Sequence, residues 1–470
     1  MTRIKFGTDG WRAVIAQEFT VENIARVSVA SARWLTKKYK DPSIVIGFDC
    51  RFGGRLFSEV VAKCYAHSGI KVYFSPKFVP TPAVSLAVSF LEASMGVVIT
   101  ASHNPPEYNG YKLKGPHGGP LLEEQTKEIE SLIPDELDLV IESLKWEDFV
   151  KKGLIVETDI EKIYTDHLKN SFNIKLLKKS AFNFGFDAMY GAGQDVMREI
   201  MPDLTFFRCD YNPSFKGIAP EPLEKNMKET QEIIRKKKNI DCTLTVDGDA
   251  DRIALFDKEG NYIDSHHIIL LLIHYLAGYK KLSGKIVTGF SSTSKVEKLA
   301  FRYGLPVTRV RIGFKDICRI MLSEDVLVGG EESGGIAIKG HIPERDGVWM
   351  GLTIWSFMQE TGKQLSEIIE EIYKITGKFY YHRIDKKVDD ITKKDVITRL
   401  TKNNITSFGK FKVSRLETLD GWKFFFNDDE WLMIRASGTE PLIRIYSEAS
   451  SPERLQEILK KGEDFVVRGK

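Results

Sequence analysis

The chain opens with a regular exchange between short β-branched apolar runs and longer stretches whose apolar positions recur at helical spacing. Runs at 43–48, 70–74 and 95–100 read as buried strands, and the segments 56–67 and 83–90 between them read as amphipathic helices. Strands that alternate with helices imply crossover units and a mostly parallel sheet. The same rhythm returns twice. In the second round a strand at 182–186 leads through Gly191-Ala192-Gly193 into a helix at 194–200, and a long charged helix over 223–238 precedes a strand at 242–246. The third round predicts helices at 265–278 and 294–302 and strands at 285–289, 305–310 and 326–328.

After about Gly377 the pattern changes to aromatic-rich alternation at 379–384, 411–416, 422–426, 431–434 and 442–446, which reads as an antiparallel sheet flanked by helices at 393–401 and 452–467. The expected fold class is therefore α/β, with three similar mixed, mostly parallel α/β domains over 1–150, 151–256 and 257–376. A smaller C-terminal α+β domain over 377–470 completes the chain. Charged segments around 133–147 and 374–378 mark the expected boundaries.

Composition narrows the function classes. At 470 residues the chain is too long for one hydrophobic core, and length alone suggests roughly three or four domains. Lys and Arg total 68 against 65 Asp and Glu, a net charge of +3, so no global field selects nucleic acid or an acidic membrane. Anion selectivity must therefore be local. The five cysteines are odd in number, dispersed and never in a C-x-x-C pair, which argues against a disulfide framework or zinc ribbon and fits a reducing cytoplasm. Residues 1–7 lack the long apolar core of a signal peptide, and the most apolar stretch, 267–277, is far short of the roughly 18 residues a membrane span needs. The expected location is cytoplasmic.

Polar motifs follow several of the apolar runs. Thr100-Ala101-Ser102-His103-Asn104-Pro105 comes at the end of the 95–100 run, where open α/β folds place their chemistry. Pro105 and Pro106 forbid a smooth continuation into helix, so Ser102 is expected on a stiff, exposed turn. Alone, the motif reads equally well as a loop whose polar residues cap backbone groups.

In Asp247-Gly248-Asp249-Ala250-Asp251-Arg252 an extended backbone would project Asp247, Asp249 and Asp251 to one side. Convergent carboxylates suit a hard divalent cation, and Mg²⁺ leaves positions for substrate phosphate oxygens. A calcium EF-hand loop would need Gly at the place of Arg252 and Glu at the place of Lys258. A solvated acidic turn is the plain alternative.

Gly329-Gly330-Glu331-Glu332-Ser333-Gly334-Gly335 offers close backbone approach and carboxylates able to accept from a diol, or else forms an ordinary hairpin. Arg435-Ala436-Ser437-Gly438-Thr439-Glu440-Pro441, with Arg444 beyond, makes an anion-binding nest or a plain turn. Gly191-Ala192-Gly193 lacks the last glycine of a dinucleotide fingerprint and reads as a tight strand-to-helix turn, and His266-His267 reads as a helix start. The segment 341–347 reads as a surface loop or a ligand-facing one.

Together with Phe6-Gly7-Thr8-Asp9-Gly10-Trp11-Arg12, these motifs in this order resemble the signature loops of the α-D-phosphohexomutase family, the phosphoglucomutases and phosphomannomutases, from Phe6 to Pro441. The resemblance implies that the four domains surround a central cleft. It implies that Ser102 is carried as phosphoserine, that Asp247, Asp249 and Asp251 hold Mg²⁺ with a phosphoserine oxygen, and that Glu331 and Ser333 bind sugar hydroxyls. It further implies that Arg435, Ser437, Gly438 and Thr439, with Arg444, grip the phosphate that is not reacting, and that Lys112 lies by the reacting hydroxyl. Many family members end the sugar loop in histidine, whereas this chain has Gly335, so that role is vacant or passes to His341.

The expected reaction is reversible phosphoryl shuttling between hexose 1-phosphate and hexose 6-phosphate by way of hexose 1,6-bisphosphate. The partners are small hexose phosphates, glucose and mannose ahead of glucosamine. A phosphoserine of about −1.5 to −2 charge beside three aspartates needs compensation beyond one Mg²⁺, and Arg252, Lys112, His103 and Arg12 are the candidates. Lys112 or His103 is the expected general base. A metal-dependent phosphatase and a non-catalytic sugar-phosphate sensor are the rival readings.

Overall fold

The computed structural model describes residues 3–402, 404–438 and 441–468. Its first sheet has six strands in the order Trp11–Val14, Tyr108–Lys114, Met95–Ile99, Ser43–Phe48, Lys71–Phe74, Ile155–Glu157. Ser43–Phe48 lies parallel to both of its neighbours, and Tyr108–Lys114 runs antiparallel to both of its own. Ile155–Glu157, beyond residue 150, pairs with Lys71–Phe74 and so belongs to this sheet.

The second sheet runs Tyr262–Ile263, Ile253–Asp257, Cys242–Val246, Phe184–Asp187, Thr205–Phe207, and the third runs Val307–Val310, Lys285–Gly289, Val326–Gly330, Ile336–Ile338. One device recurs in all of these sheets. A fully buried strand running parallel to its inner neighbour ends in a polar loop, and the next strand returns antiparallel beside it. Met95–Ile99 hands over to Tyr108–Lys114, Cys242–Val246 to Ile253–Asp257, and Val326–Gly330 to Ile336–Ile338. The three loops are those singled out in the sequence. Apolar runs explain the buried strands, and Pro, Gly and charged residues explain why each run stops where it does.

The fourth sheet is antiparallel throughout, Tyr380–Lys387, Leu442–Ala449, Trp431–Ala436, Trp422–Phe425, Arg415–Glu417. The strand expected at 411–416 is two short pieces, because the chain changes partner: Phe411–Lys412 pairs with Ser407–Phe408, and Arg415–Glu417 pairs with Trp422–Phe425. The helix expected over 223–238 is likewise divided. A short turn at Glu224–Asn226 and a helix at Lys228–Lys237 flank Met227, which is fully buried with non-helical dihedrals, while the Asn226 carbonyl is taken by Arg208. His266 and His267 do start a helix, Ser265–Ile273, with Asp264 accepting from the His267 amide. All five cysteines are buried and free. Among the described residues, no helix is long and apolar enough to cross a membrane.

A continuous apolar core passes through the first three sheets, including Val45, Val84, Phe186, Leu244 and Ile269. Helix Gly347–Thr361, apolar all round, follows the third sheet in sequence but packs on the second, where a Cβ at Gly351 would overlap Leu244. Trp355 of this helix is fully buried and stacks on Phe184 at 4.5 Å. The fourth sheet has a core of its own around Phe424, Leu432 and Ile445, and meets the third through Phe290 packed with Phe425, Trp431, Met433 and Tyr446. Trp355→Ala is expected to destabilise the protein by about 3–5 kcal/mol, the usual cost of emptying a large aromatic site. Chemical denaturation followed by far-UV circular dichroism checks this, and an unchanged midpoint would remove the helix from the shared core.

Candidate active site

Ser102 sits at the centre of the first loop with φ of 52°, in the left-handed region that non-glycine residues rarely occupy. Its neighbours hold it there. The Ser102 amide donates to Thr100 Oγ1 at 2.8 Å, and that hydroxyl donates to Asp49 Oδ2 at 2.5 Å. From below, the buried Arg51 donates to the carbonyls of Ser102 (2.6 Å), Asn104 (2.6 Å), Pro105 (2.8 Å) and Tyr108 (3.1 Å). Burial pushes Asp49 up to about 6, against the pull of Arg51.

The turn is stiff, as expected, but it is not exposed: Ser102 keeps 1% of its surface. The reason is the second domain. Gly248 lies so close that a Cβ there would be 2.5 Å from the Ser102 carbonyl, and Asp247 Oδ2 accepts from Ser102 Oγ at 2.6 Å. His103 Nδ1 lies 3.3 Å from the same Oγ. Burial and the guanidinium groups of Arg252 and Arg12 hold His103 well below its ordinary range.

The three aspartates converge, with ligand atoms all within 4.8 Å of one another, and none has exposed surface. Their convergence does not come from an extended backbone, as the alternation argument expected. Residues 247–250 form a turn closed by the Ala250 amide on the Asp247 carbonyl at 3.0 Å, with Ala250 at φ 60°. Full burial excludes the solvated acidic turn.

Charge is balanced unevenly here. Lys112, 1% exposed on strand Tyr108–Lys114, places Nζ 2.7 Å from Asp249 Oδ2, 2.7 Å from Asp251 Oδ2 and 2.8 Å from Asp9 Oδ2. Burial opposes the charged form of Lys112, but the surrounding carboxylates of Asp249, Asp251 and Asp9 outweigh it and raise its pKa. Asp249 is pushed up by burial yet held below its ordinary range by Lys112, whereas Asp247 is driven well above it by burial and by its two acidic neighbours. Asp249 Oδ1 and Asp251 Oδ1 are buried without a hydrogen-bond partner. A buried carboxylate group with unused oxygens fits a hard divalent cation.

The remaining cations surround this group. Arg12 Nη1 donates to Asn104 Oδ1 at 2.7 Å and lies 3.4 Å from His103 Nδ1. The Arg252 amide donates to Asp247 Oδ1 at 3.0 Å, while its guanidinium meets Glu221 at 3.3 Å. Arg345, which the sequence reading left inside a polar segment, donates to Asp9 Oδ2 at 2.7 Å and meets Asp251 Oδ2 at 2.8 Å.

The third loop docks on the second through an Arg252–Gly335 bridge and the Ile253 amide on the Gly334 carbonyl at 3.1 Å. Burial pushes Glu331 up to about 7, and its Oε1 accepts from the Gly313 amide at 2.8 Å. Glu332 is turned away to Ser291 Oγ at 2.7 Å and Arg383 at 4.0 Å. Ser333 is partly exposed beside them. His341 does not take the place left by Gly335. It is buried against Trp349 with ring centroids 3.8 Å apart, and its Nε2 lies 2.9 Å from Asp346. The space beside Gly335 belongs to Arg345, whose Cδ a Cβ would overlap.

On the fourth domain, Arg435 donates from Nε to Asp420 Oδ1 at 3.0 Å, and Asp420 Oδ2 accepts from the Ile312 amide at 2.8 Å. Ile312 adjoins Gly313, so this loop is tied to the one holding Glu331. Ser437 is buried, its amide donating to the Leu442 carbonyl at 3.1 Å, and Gly438 is exposed. Arg444 faces Asp385 at 3.9 Å, and Thr439 lies outside the described residues.

Four models described as phosphoglucomutase/phosphomannomutase match the chain: alpha/beta/alpha domain I at 3–138, domain II at 162–260, domain III at 264–375 and the C-terminal domain at 384–462. The chain belongs to the phosphoglucomutase/phosphomannomutase family. It is accordingly a mutase, an intramolecular phosphotransferase. A Thermococcus kodakarensis phosphoglucomutase/phosphomannomutase is 31% identical over 97% of both chains. A Sulfurisphaera tokodaii phosphoglucosamine/phosphogalactosamine mutase is 31% identical over 99% of both. A Thermus thermophilus crystal structure, provisionally described as a phosphomannomutase, matches with a TM-score of 0.86 at 32% identity over 99% of both chains.

Within this member of the phosphoglucomutase/phosphomannomutase family, sequence reasoning missed Asp49 and Arg51 and named Asp9 and Arg345 only as parts of longer segments, without a role. Asp49 and Arg51 did carry a signal, charged residues directly after the apolar run 43–48; Arg345 carried none beyond its polar surroundings. Arg51→Met is expected to cost about 3–5 kcal/mol, because it strips donors from the loop carbonyls and leaves the buried Asp49 without its ion-pair partner. Differential scanning calorimetry measures the loss, and faster amide exchange across 101–107 is expected to accompany it.

Proposed function

We propose that this enzyme interconverts hexose 1-phosphate and hexose 6-phosphate through a phosphoserine at Ser102 and a hexose 1,6-bisphosphate intermediate. The observation that carries the reading is the placement of Ser102 Oγ against Asp247, in a buried group of acids ringed by cations from separate domains. In the forward half-reaction the bond between phosphorus and Ser102 Oγ breaks as one forms to the free sugar hydroxyl, whose proton passes to a base. Turning the bisphosphate end for end lets the other phosphoryl group return to Ser102. Such transfers depend on positioning and charge neutralisation.

The geometry supports His103 as the base, since it is held neutral beside Ser102 Oγ while the Lys112 ammonium is engaged by carboxylates. Asp247, Asp249 and Asp251 would hold Mg²⁺, and a bound Mg²⁺ would supply Lewis-acid neutralisation of phosphoryl oxygens. Arg12 and Arg252 stand ready to bind the phosphoryl group. Arg435, Ser437, Gly438, Thr439 and Arg444 are proposed to hold the phosphate that is not reacting. Glu331 and Ser333 are proposed to bind the sugar.

With Glu332 committed to Ser291 and Arg383, Glu331 is the carboxyl offered to the ligand. A carboxyl pushed up to about 7 by burial both donates to and accepts from hydroxyls, which suits a hexose, and glucose and mannose phosphates are the proposed substrates. The equal identity of the Sulfurisphaera tokodaii relative favours glucosamine phosphate as a second reading.

Parallel assays with glucose, mannose and glucosamine 1-phosphates test both readings. Production of the 6-phosphate without release of inorganic phosphate is expected, lost in Ser102→Ala and on EDTA treatment and restored by Mg²⁺. Full turnover by Ser102→Ala would end the phosphoserine mechanism, and phosphate release would favour a phosphatase. Arg435→Ala is expected to raise KM about 10- to 100-fold for the 1- and 6-phosphates alike, since a charge-assisted hydrogen bond contributes about 1.5–3 kcal/mol. An effect on one isomer alone would contradict end-for-end turning.

A further inference from the structure

The charges beside the acid group close into a circuit. Asp9 Oδ2 lies 2.8 Å from Lys112 Nζ and 2.7 Å from Arg345 Nη2, and the same two cations meet again on Asp251 Oδ2 at 2.7 and 2.8 Å. Charges of alternating sign therefore run from Asp9 to Lys112, to Asp251, to Arg345 and back to Asp9. The N-terminal turn, the first sheet, the second domain and the third each contribute a member. The side chains of Lys112, Asp251 and Arg345 are at most 5% exposed, and that of Asp9 is 13% exposed. At this depth the contacts are weakly screened, and deleting one member leaves its two neighbours each with one opposite charge fewer.

Both cations occupy Oδ2 of Asp251, whereas Oδ1 of Asp251, like Oδ1 of Asp249, is buried with no hydrogen-bond partner. Gly335 makes the arrangement possible, because the Arg345 side chain crosses the space that any Cβ at 335 would take.

We propose that Asp9 and Arg345 are positioning residues: the ring they complete holds Lys112 and Arg345 on Oδ2 of Asp251 and so leaves its Oδ1 available to a divalent ion. This rests on the metal reading of the aspartates given above. The two residues act on a divalent ion with opposite sign. Asp9 shares the charge of Lys112 and Arg345, so its removal leaves more of that charge on Asp251 and, through Lys112, on Asp249, in competition with the metal. Arg345 shares the charge of Asp251, so its removal leaves more of that charge for the metal while releasing the carboxylate from its orientation.

Calorimetric titration of the full-length protein with Mn²⁺, together with kcat and KM for the 1-phosphate it turns over, tests this in Asp9→Asn, Arg345→Met and Arg345→Lys. Asp9→Asn is expected to weaken Mn²⁺ binding roughly ten-fold and Arg345→Met to tighten it several-fold, both lowering kcat about ten-fold or more with KM changed less than about two-fold, as for coupled neighbouring charges. Arg345→Lys is expected to restore part of kcat. Gly335→Ala, which displaces Arg345 without deleting it, is expected to move Mn²⁺ affinity in the direction of Arg345→Met, and so serves if the larger change unfolds the protein. Shifts of the same sign in Asp9→Asn and Arg345→Met, or kcat unaffected in both, would overturn the ring. Failure of the unmodified protein to bind Mn²⁺ would instead remove the metal reading, and the ring's proposed purpose with it.

Discussion

Buried negative charge is the constraint around which this molecule is built. Asp247, Asp249 and Asp251 crowd into one turn with no exposed surface, and Asp9 comes against them from another part of the chain. Carboxylates in that setting are costly unless cations meet them. The cations come from outside the turn itself: Lys112 from the first sheet and Arg345 from the loop before helix Gly347–Thr361. The acids therefore bind the domains to one another at the place proposed for the phosphoryl transfer.

The sheets explain how the requirement is met with precision. In each α/β unit a buried strand delivers a polar loop, and an antiparallel return strand clamps it from the other side. Two of those loops press together until only a glycine fits, Gly248 against the Ser102 carbonyl, and a third leaves room at Gly335 for Arg345. Ser102 and Ala250 adopt left-handed backbone within these loops, a strained geometry that the surrounding contacts over-determine. Sites whose reacting groups must stay fixed profit from loops mounted on strands in this way.

The fourth domain stands apart in its packing, with a separate core and an aromatic contact to the third through Phe290. Its link to the site is polar: Arg435 to Asp420, Asp420 to the Ile312 amide, and the adjoining Gly313 amide to Glu331. Burial pushes Glu331 up to about 7. The carboxyl proposed to bind the sugar and the arginine proposed to hold the distant phosphate are thus joined through the adjoining backbone amides of Ile312 and Gly313.

Strand and helix periodicity alone gave the α/β class, the repeated units and the change to an antiparallel sheet, because burial of one face imposes a period that survives in the residues. The chemistry was legible only through the resemblance that the polar motifs carry when taken in order, because each motif alone reads equally well as a loop, a hairpin or a turn. Details of conformation were less legible: the acidic motif turns where alternation suggested extension, and Ser102 is covered by a domain that its own neighbours in sequence do not foretell. Asp9 and Arg345 acquire their meaning from each other across 336 positions of chain, and Arg51 acquires its own from the Ser102 carbonyl 51 positions on. Sequence determined which charges this protein carries and that some must be buried; only tertiary structure decided which cation meets which acid, because Coulomb attraction acts through space and leaves no period along the chain.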